Sequence, residues 1–238
     1  MKHQYEKTQQ FNAITKFLHN TRYKNLYKFM DKIFIEDLTM QPIKVVDIGC
    51  GTAKTYSLLN ANYNIDYLGI ELREDFVKLA KERYAKNSNF NIICDSIENH
   101  YDKLEGSIVI GLETLEHIPE GIVVRVIEAI AEKNVEHFYC TVPNEIGPAI
   151  FIKNFGSFLM RYPRHKEYTW KETFSASLYD LDKVGIHHTA HKGFDWRWLA
   201  QTIRQNMKID SITTSPFNII PRSLSPSIGF ICSKRIID

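Results

Sequence analysis

The chain has 238 residues, with 30 Lys and Arg against 28 Asp and Glu, for a formal net charge of +2. That length suits a single α/β domain with additions and can bury a sizeable core. The near-balanced charge gives no global pull toward nucleic acid or an anionic membrane. The N-terminus, Met1-Lys2-His3-Gln4-Tyr5-Glu6, lacks an apolar signal core, and no stretch approaches the ~20 apolar residues that span a bilayer. A cytoplasmic location is therefore expected.

Residues 5–38 read as helical, because Phe11, Ile14 and Leu18, then Leu26, Met30 and Ile33, recur at spacings of three and four. Pro42 separates this helical segment from the first strand. Val45-Val46-Asp47-Ile48-Gly49-Cys50-Gly51-Thr52 reads as a buried strand feeding a tight turn into a helix. Glycines there permit backbone conformations closed to other residues and let a ligand approach closely. The third glycine of a dinucleotide fingerprint would fall at Lys54, so a nicotinamide cofactor is disfavoured. Asp66-Tyr67-Leu68-Gly69-Ile70-Glu71 is a second short strand ending in an acid, which could accept both hydroxyls of a ribose. Asn91-Ile92-Ile93-Cys94-Asp95-Ser96-Ile97 reads as a third strand ending in Asp95, and Ser107 to Pro119 as a fourth with its adjoining turn.

Helical spacing joins Phe76, Leu79, Ala80 and Tyr84, and again Ile122, Val126, Ile127 and Ile130. Phe138 to Val142 reads as a fifth strand, ended by Pro143-Asn144. This alternation predicts a parallel sheet. Trp196, Leu199, Ala200 and Ile203 mark a last helix with Asp195 as N-cap. Lys208 to Thr214 and Ile228 to Ser233 are the final two strands, joined through Pro216, Pro221 and Pro226. Cys50, Cys94, Cys140 and Cys232 form no Cys-x-x-Cys pair, and burial as small apolar residues is expected for three of them.

Residues 145–190 are too many for a plain connection, and long insertions often serve as lids or binding loops. Phe151, Phe155, Phe158 and Leu159 fall on one helical face, succeeded by the basic aromatic run Arg161-Tyr162-Pro163-Arg164-His165-Lys166-Glu167-Tyr168-Thr169-Trp170. Three readings stand: a helix packing its apolar face on the domain, a lid whose cations receive phosphate or carboxylate, and an interfacial helix on a membrane or lipid-linked substrate.

The Asp47-x-Gly49-x-Gly51 turn and the three acidic strand ends after it resemble the class I S-adenosylmethionine (SAM) dependent methyltransferases, whose third motif glycine is replaced here by Ala53. The resemblance covers residues 42–145. It implies an α/β, Rossmann-like class I methyltransferase fold with a seven-stranded, mostly parallel sheet and helices on both faces. On this reading residues 1–238 form one domain: a helical cap over 1–40, the SAM-binding core at 42–145, a lid insertion at 146–190, and the last helix and final strands in 191–238. SAM is the implied cofactor. Asp47, Gly49, Cys50 and Gly51 form its turn, and Glu71 with Leu72 meets the ribose side. Asp95, Ser96 and Ile97 meet the adenine, and Glu113 lies beside the methionine part.

SAM carries an activated methyl group, so a protein mainly aligns the acceptor and excludes water. A hydroxyl acceptor also needs a base, for which His117 and His191 are the candidates. Glu113-x-x-Glu116-His117 also resembles the metal ligands of quinone-pathway and small-RNA 2′-O-methyltransferases, but the same turn is common without metal, and no metal is expected. The C-terminal third, with Thr141 to Pro148, His191-x-Gly193-Phe194-Asp195 and Ser215-Pro216-Phe217, is similar to a bacterial group linked to surface-glycan biosynthesis. That likeness implies O-methylation of a sugar, sugar nucleotide or phosphorylated intermediate, an acidic acceptor. Nucleic acid is not an expected partner. Membrane contact is allowed by the sequence without being expected.

Overall fold

The computed structural model describes residues 13–36, 41–159, 167–185 and 192–235. A seven-stranded sheet is built from β1 (Ile43–Ile48), β2 (Ile65–Glu71), β3 (Phe90–Cys94), β4 (Ile108–Leu112), β5 (His137–Pro143), β6 (Lys208–Ser215) and β7 (Ser227–Ser233). Its order is β3-β2-β1-β4-β5-β7-β6. The first five strands run parallel, and β7 is antiparallel to both β5 and β6.

The helices are α1 (Ala13–Glu36), α2 (Lys54–Asn60), α3 (Glu74–Tyr84), α4 (Glu120–Glu132), α5 (Pro148–Leu159), α6 (Trp170–Ser177) and α7 (Trp196–Asn206). Strand periodicity deals successive side chains to opposite faces, so both faces of the central strands must be covered. Val45, Ile108, Ile110 and Tyr139 pack with Leu26, Phe29, Met30 and Ile33 of α1, Tyr56 and Leu59 of α2, and Val77 and Ala80 of α3. Their neighbours Val46, Val109, Phe138 and Cys140 pack instead with Val126, Ile127 and Ile130 of α4 and Leu199 and Ile203 of α7. Each of the Val, Leu, Ile, Phe and Met side chains among them, once buried, contributes roughly 1.5–3 kcal/mol.

The described part of the N-terminal helix therefore belongs to one face of the core, with Phe29 stacked on Tyr139 at 5.2 Å between ring centroids. Its earlier turns reach toward the glycine turn, where the Lys54 ammonium lies 4.9 Å from the centroid of the Tyr23 ring. Phe11 is outside the described residues, as are the side chains of Ile14 and Leu18. Cys50, Cys140 and Cys232 are buried, but Cys94 is exposed at the end of edge strand β3.

Residues 146–185 hold α5 and α6 around a small core of Ile150, Tyr168, Ala176 and Val184. Asn154 donates to Thr173 Oγ1 at 2.9 Å between the helices. Thr169 and Glu172 form a reciprocal capping box that starts α6. The reading in which Phe151, Phe155, Phe158 and Leu159 pack on the domain is corrected. Ala149, Ile150, Asn154 and Ser157 are the buried residues of α5, while Phe151, Phe155, Phe158 and Leu159 are 42–65% exposed. The residue just before each phenylalanine takes the inner face instead: Ile150 enters the small core, and Asn154 bonds Thr173 across the helix pair. Most of the basic run, residues 161–166, lies outside the described residues.

Candidate active site

Strand order reverses between β1 and β4, and in open α/β sheets ligands bind at the carboxyl ends of strands beside such a switch point. The acidic strand ends and the glycine turn all fall on that rim. Gly49 and Gly51 have φ of 67° and 57°, and Ala53 comes next at 56°, so three residues of the turn are left-handed. Only the third accepts the Cβ cost, of about 1–2 kcal/mol. A Cβ on Gly49 would sit 2.3 Å from Thr114 Cγ2, whereas one on Gly51 would meet nothing within 4 Å. Gly49 is thus required for packing, and Gly51 leaves open space beside the turn. The Cys50 side chain is turned under the turn against Gly69, so only its backbone faces the rim.

Glu71 ends β2 nearly buried, at 8% exposure. Its Oε2 accepts the Gly51 amide at 2.8 Å and its Oε1 accepts the Arg73 amide at 2.9 Å. The carboxylate is thereby fixed against the turn, with acceptor capacity left on each oxygen. Leu72, next along, is 71% exposed. Open space at Gly51, a clamped acid and an exposed apolar side chain suit the ribose and base of an adenosyl group.

Asp95 lies one residue beyond β3. Its Oδ1 accepts the Ser96 amide at 2.7 Å and Asn99 Nδ2 at 3.1 Å, and its Oδ2 lies 2.9 Å from His100 Nε2. The Ser96 amide foremost, then Asn99 and His100, hold its carboxyl below the usual carboxylate range. Ser96 caps a short 3₁₀ turn, and Ile97 packs into the core at 5% exposure. His100 was not legible as a site residue, since nothing in its spacing marks it as Asp95's partner.

Asp47 lies beneath the turn at 1% exposure, and its Oδ2 accepts the Tyr67 hydroxyl at 2.7 Å. Burial pushes its carboxyl up to about 7, although hydrogen bonds from Tyr67 and Thr55 act in the opposite sense. It shapes the turn from inside. The folded value lies above the ordinary one, so the associated stability is present in full at acidic pH and is lost as pH rises through about 7. The wild-type melting temperature should therefore fall more steeply from about pH 5 to about pH 8 than that of Asp47→Asn. Parallel pH profiles for the two proteins would reject a titrating Asp47.

Past β4, Glu113 is left-handed at φ 53° and accepts the Ser227 hydroxyl at 2.8 Å. Glu116 is buried, and the partly exposed His117 places Nε2 4.0 Å from Glu116 Oε1. Glu113 is thus engaged by Ser227 while Glu116 and His117 lie together, and among the described residues no three His, Cys, Asp or Glu gather to hold a metal ion. His191 lies outside the described residues. Its next neighbours are pinned: Lys192 bridges Glu172 at 2.7 Å, and the Gly193 amide donates to Tyr168 at 2.9 Å. Burial disfavours charge on Glu172, yet Lys192 and the Thr169 and Gly185 amides hold its carboxyl down at about 2.

Several rim contacts are long-range and carry no local signature. Asn144 is fully buried after β5 and donates to the carbonyls of Arg222 at 2.8 Å and Ser225 at 3.0 Å. Lys153 donates to buried Glu145 at 2.7 Å, and the Tyr168 hydroxyl donates to the same carboxylate at 3.2 Å. These bonds tie the β6–β7 loop and the 146–185 insertion to the end of β5.

Residues 45–133 match a family described as a methyltransferase domain. No curated protein matches the chain. Among solved structures, the methyltransferase domain of bacterial CtHen1 is similar at 15% identity and a TM-score of 0.61, over 92% of this chain and 100% of that one. Magnesium protoporphyrin IX methyltransferase from Synechocystis, with bound SAH, is similar at 12% identity and a TM-score of 0.56, over 94% of this chain and 88% of that one. The plantazolicin methyltransferase BpumL, in complex with a desmethyl plantazolicin analogue and SAH, gives 16% and 0.56 over 94% and 86%.

Proposed function

We propose that this chain, a SAM-dependent methyltransferase of Rossmann-like class I fold, methylates an oxygen of a small-molecule or glycan-type acceptor. The acceptor class is a sugar, sugar nucleotide or phosphorylated sugar of bacterial surface polysaccharide synthesis. The observation that carries this reading is His117: a partly exposed imidazole just past β4, with a buried carboxylate 4.0 Å behind it. A sulfur or carbanion acceptor would have less need of such a group, whereas a hydroxyl must lose a proton as its oxygen attacks.

When bound, SAM supplies a methyl carbon already activated by its sulfonium. Glu71, Leu72 and Asp95 would hold the adenosyl part, and Gly49 to Gly51 the turn beside it. The His117 imidazole would take the proton of the acceptor hydroxyl as that oxygen accepts the methyl group. The Glu116 carboxylate offsets the charge that develops on the imidazole. The 216–226 loop, which carries exposed Arg222, and the 146–185 insertion flank this place and would exclude water. Arg222 and the basic run after α5 favour an acidic acceptor.

Folds of this kind serve unlike acceptors, as the porphyrin and plantazolicin enzymes illustrate by name. A metal-assisted RNA 2′-O reading would need Glu113, Glu116 and His117 to converge, and Glu113 instead bonds Ser227. The test is methyl-labelled SAM offered with separate pools of sugar nucleotides, phosphorylated sugars, quinone precursors and RNA. Label is expected in a sugar product that survives nuclease. Label confined to nuclease-sensitive material, or SAM binding without any transfer, would overturn the reading.

A further inference from the structure

The three donors around the Asp95 carboxylate leave its two oxygens in different states. An ionised carboxylate only accepts, with about two lone-pair sites on each oxygen. Both sites of Oδ1 are taken, by the Ser96 amide at 2.7 Å and Asn99 Nδ2 at 3.1 Å. Among the described residues Oδ2 meets His100 alone, at 2.9 Å from Nε2. One acceptor site therefore stays open, and it lies on the oxygen that His100 fixes. The Asp95 carboxyl is held below the usual carboxylate range, by the Ser96 amide first. It is thus ionised at neutral pH, and the imidazole must present Nε2–H to it.

His100 is itself fixed by the fold. It joins two short 3₁₀ turns, Ile97–Asn99 and Tyr101–Leu104, and its own amide donates to the Ile97 carbonyl at 3.0 Å. Ile97 and Leu104 are buried in the core shared with α4, so both turns are anchored. The imidazole is 20% exposed and the Asp95 side chain 40%, which makes the histidine the inner member of the pair. A carboxylate held this way matches one N–H donor and repels a second acceptor. On a purine those are an amino group and a carbonyl oxygen.

We propose that His100 is a positioning residue for recognition of the methyl donor. By orienting Asp95 Oδ2, it makes the site accept the 6-amino group of an adenosyl ligand and reject a 6-oxo base. The proposal rests on the adenosyl role of Asp95 put forward above.

Titration calorimetry of the full-length protein decides it, with S-adenosylhomocysteine and with S-inosylhomocysteine, in which a carbonyl replaces the amino group. The wild type is expected to prefer the adenosyl ligand by about tenfold or more. His100→Ala should weaken the adenosyl ligand by about tenfold and leave the inosyl ligand nearly unchanged, so that the preference collapses. His100→Leu, which fills much of the same space without a donor, should do the same. His100→Gln, whose side-chain amide can donate to Oδ2, should restore most of the preference. Equal weakening of both ligands in the donor-less variants would mark a merely structural role and overturn the proposal. So would a full preference kept without the imidazole, or a wild type that binds the two ligands equally. A wild type that binds neither would instead remove the adenosyl reading of the site, and the proposal with it.

Discussion

Glu71→Ala is expected to raise the Kd for SAM by about 100-fold. The Glu71 carboxylate has two tasks. Its oxygens hold the Gly51 amide at 2.8 Å and the Arg73 amide at 2.9 Å, and in the proposed site their remaining lone pairs would accept the ribose hydroxyls. A hydrogen bond to a charged group is worth about 1.5–3 kcal/mol, so losing two from the ligand gives about 100-fold at the lower end of that range, which suits bonds made at a solvent-accessible rim. Removing the acid also strands two amides, at roughly 1–3 kcal/mol for each that stays unsolvated. Glu71→Gln separates the two contributions, since the amide retains one acceptor oxygen and nearly the same volume. It should weaken binding by about tenfold, between the wild type and the alanine variant. Titration calorimetry reads the affinity, and thermal melts read the turn. Wild-type affinity in Glu71→Ala would remove the ribose assignment.

The second large effect is on turnover. His117→Ala should lower kcat by about 10²–10⁴-fold, the range for loss of a general base, with SAM affinity unchanged. The side chain is 44% exposed, so its removal leaves no core cavity. The acid limb of the wild-type kcat/KM profile should vanish in the variant. Glu116→Gln, which keeps shape and replaces the carboxyl group behind the imidazole by an amide, should move that limb without altering SAM binding. A fully active His117→Ala would transfer the role to another group, with His191 the remaining candidate in the sequence.

Local features of this chain were readable because they obey local rules. Two apolar residues and an acid before Gly49-Cys50-Gly51 announce strand, turn and helix, and the order of Glu71 and Asp95 behind them is that of a parallel sheet. Asp195 at the start of α7 accepts the Arg197 amide, as its position suggested. The remainder depended on contacts far apart in the chain. Asp47 meets Tyr67 across two strands, and Glu113 meets Ser227 over 114 positions. No spacing rule reports such pairs. The outer face of α5 was unreadable for another reason. Phenylalanines at 151, 155 and 158 give the same helical period whether they face a core or solvent, and the deciding residues are the unremarkable Ala149, Asn154 and Ser157.

The reversal of β7 has a consequence for how the protein could be divided. Because that strand runs against β5, its opening residue, Ser227, stands opposite Pro143 and steadies Glu113. Chain order and site order therefore part company: the half of the cleft that would greet the incoming hydroxyl is completed by late residues. A version shortened before residue 207 would keep every group assigned to the adenosyl moiety, yet lose the flank that orients its reaction partner and leave β5 with a bare edge. Such a version would also strip Ile228, Phe230 and Cys232 from the core packed on α4 and α7, so the hold on the methyl donor would lean on strands that contribute no group to it.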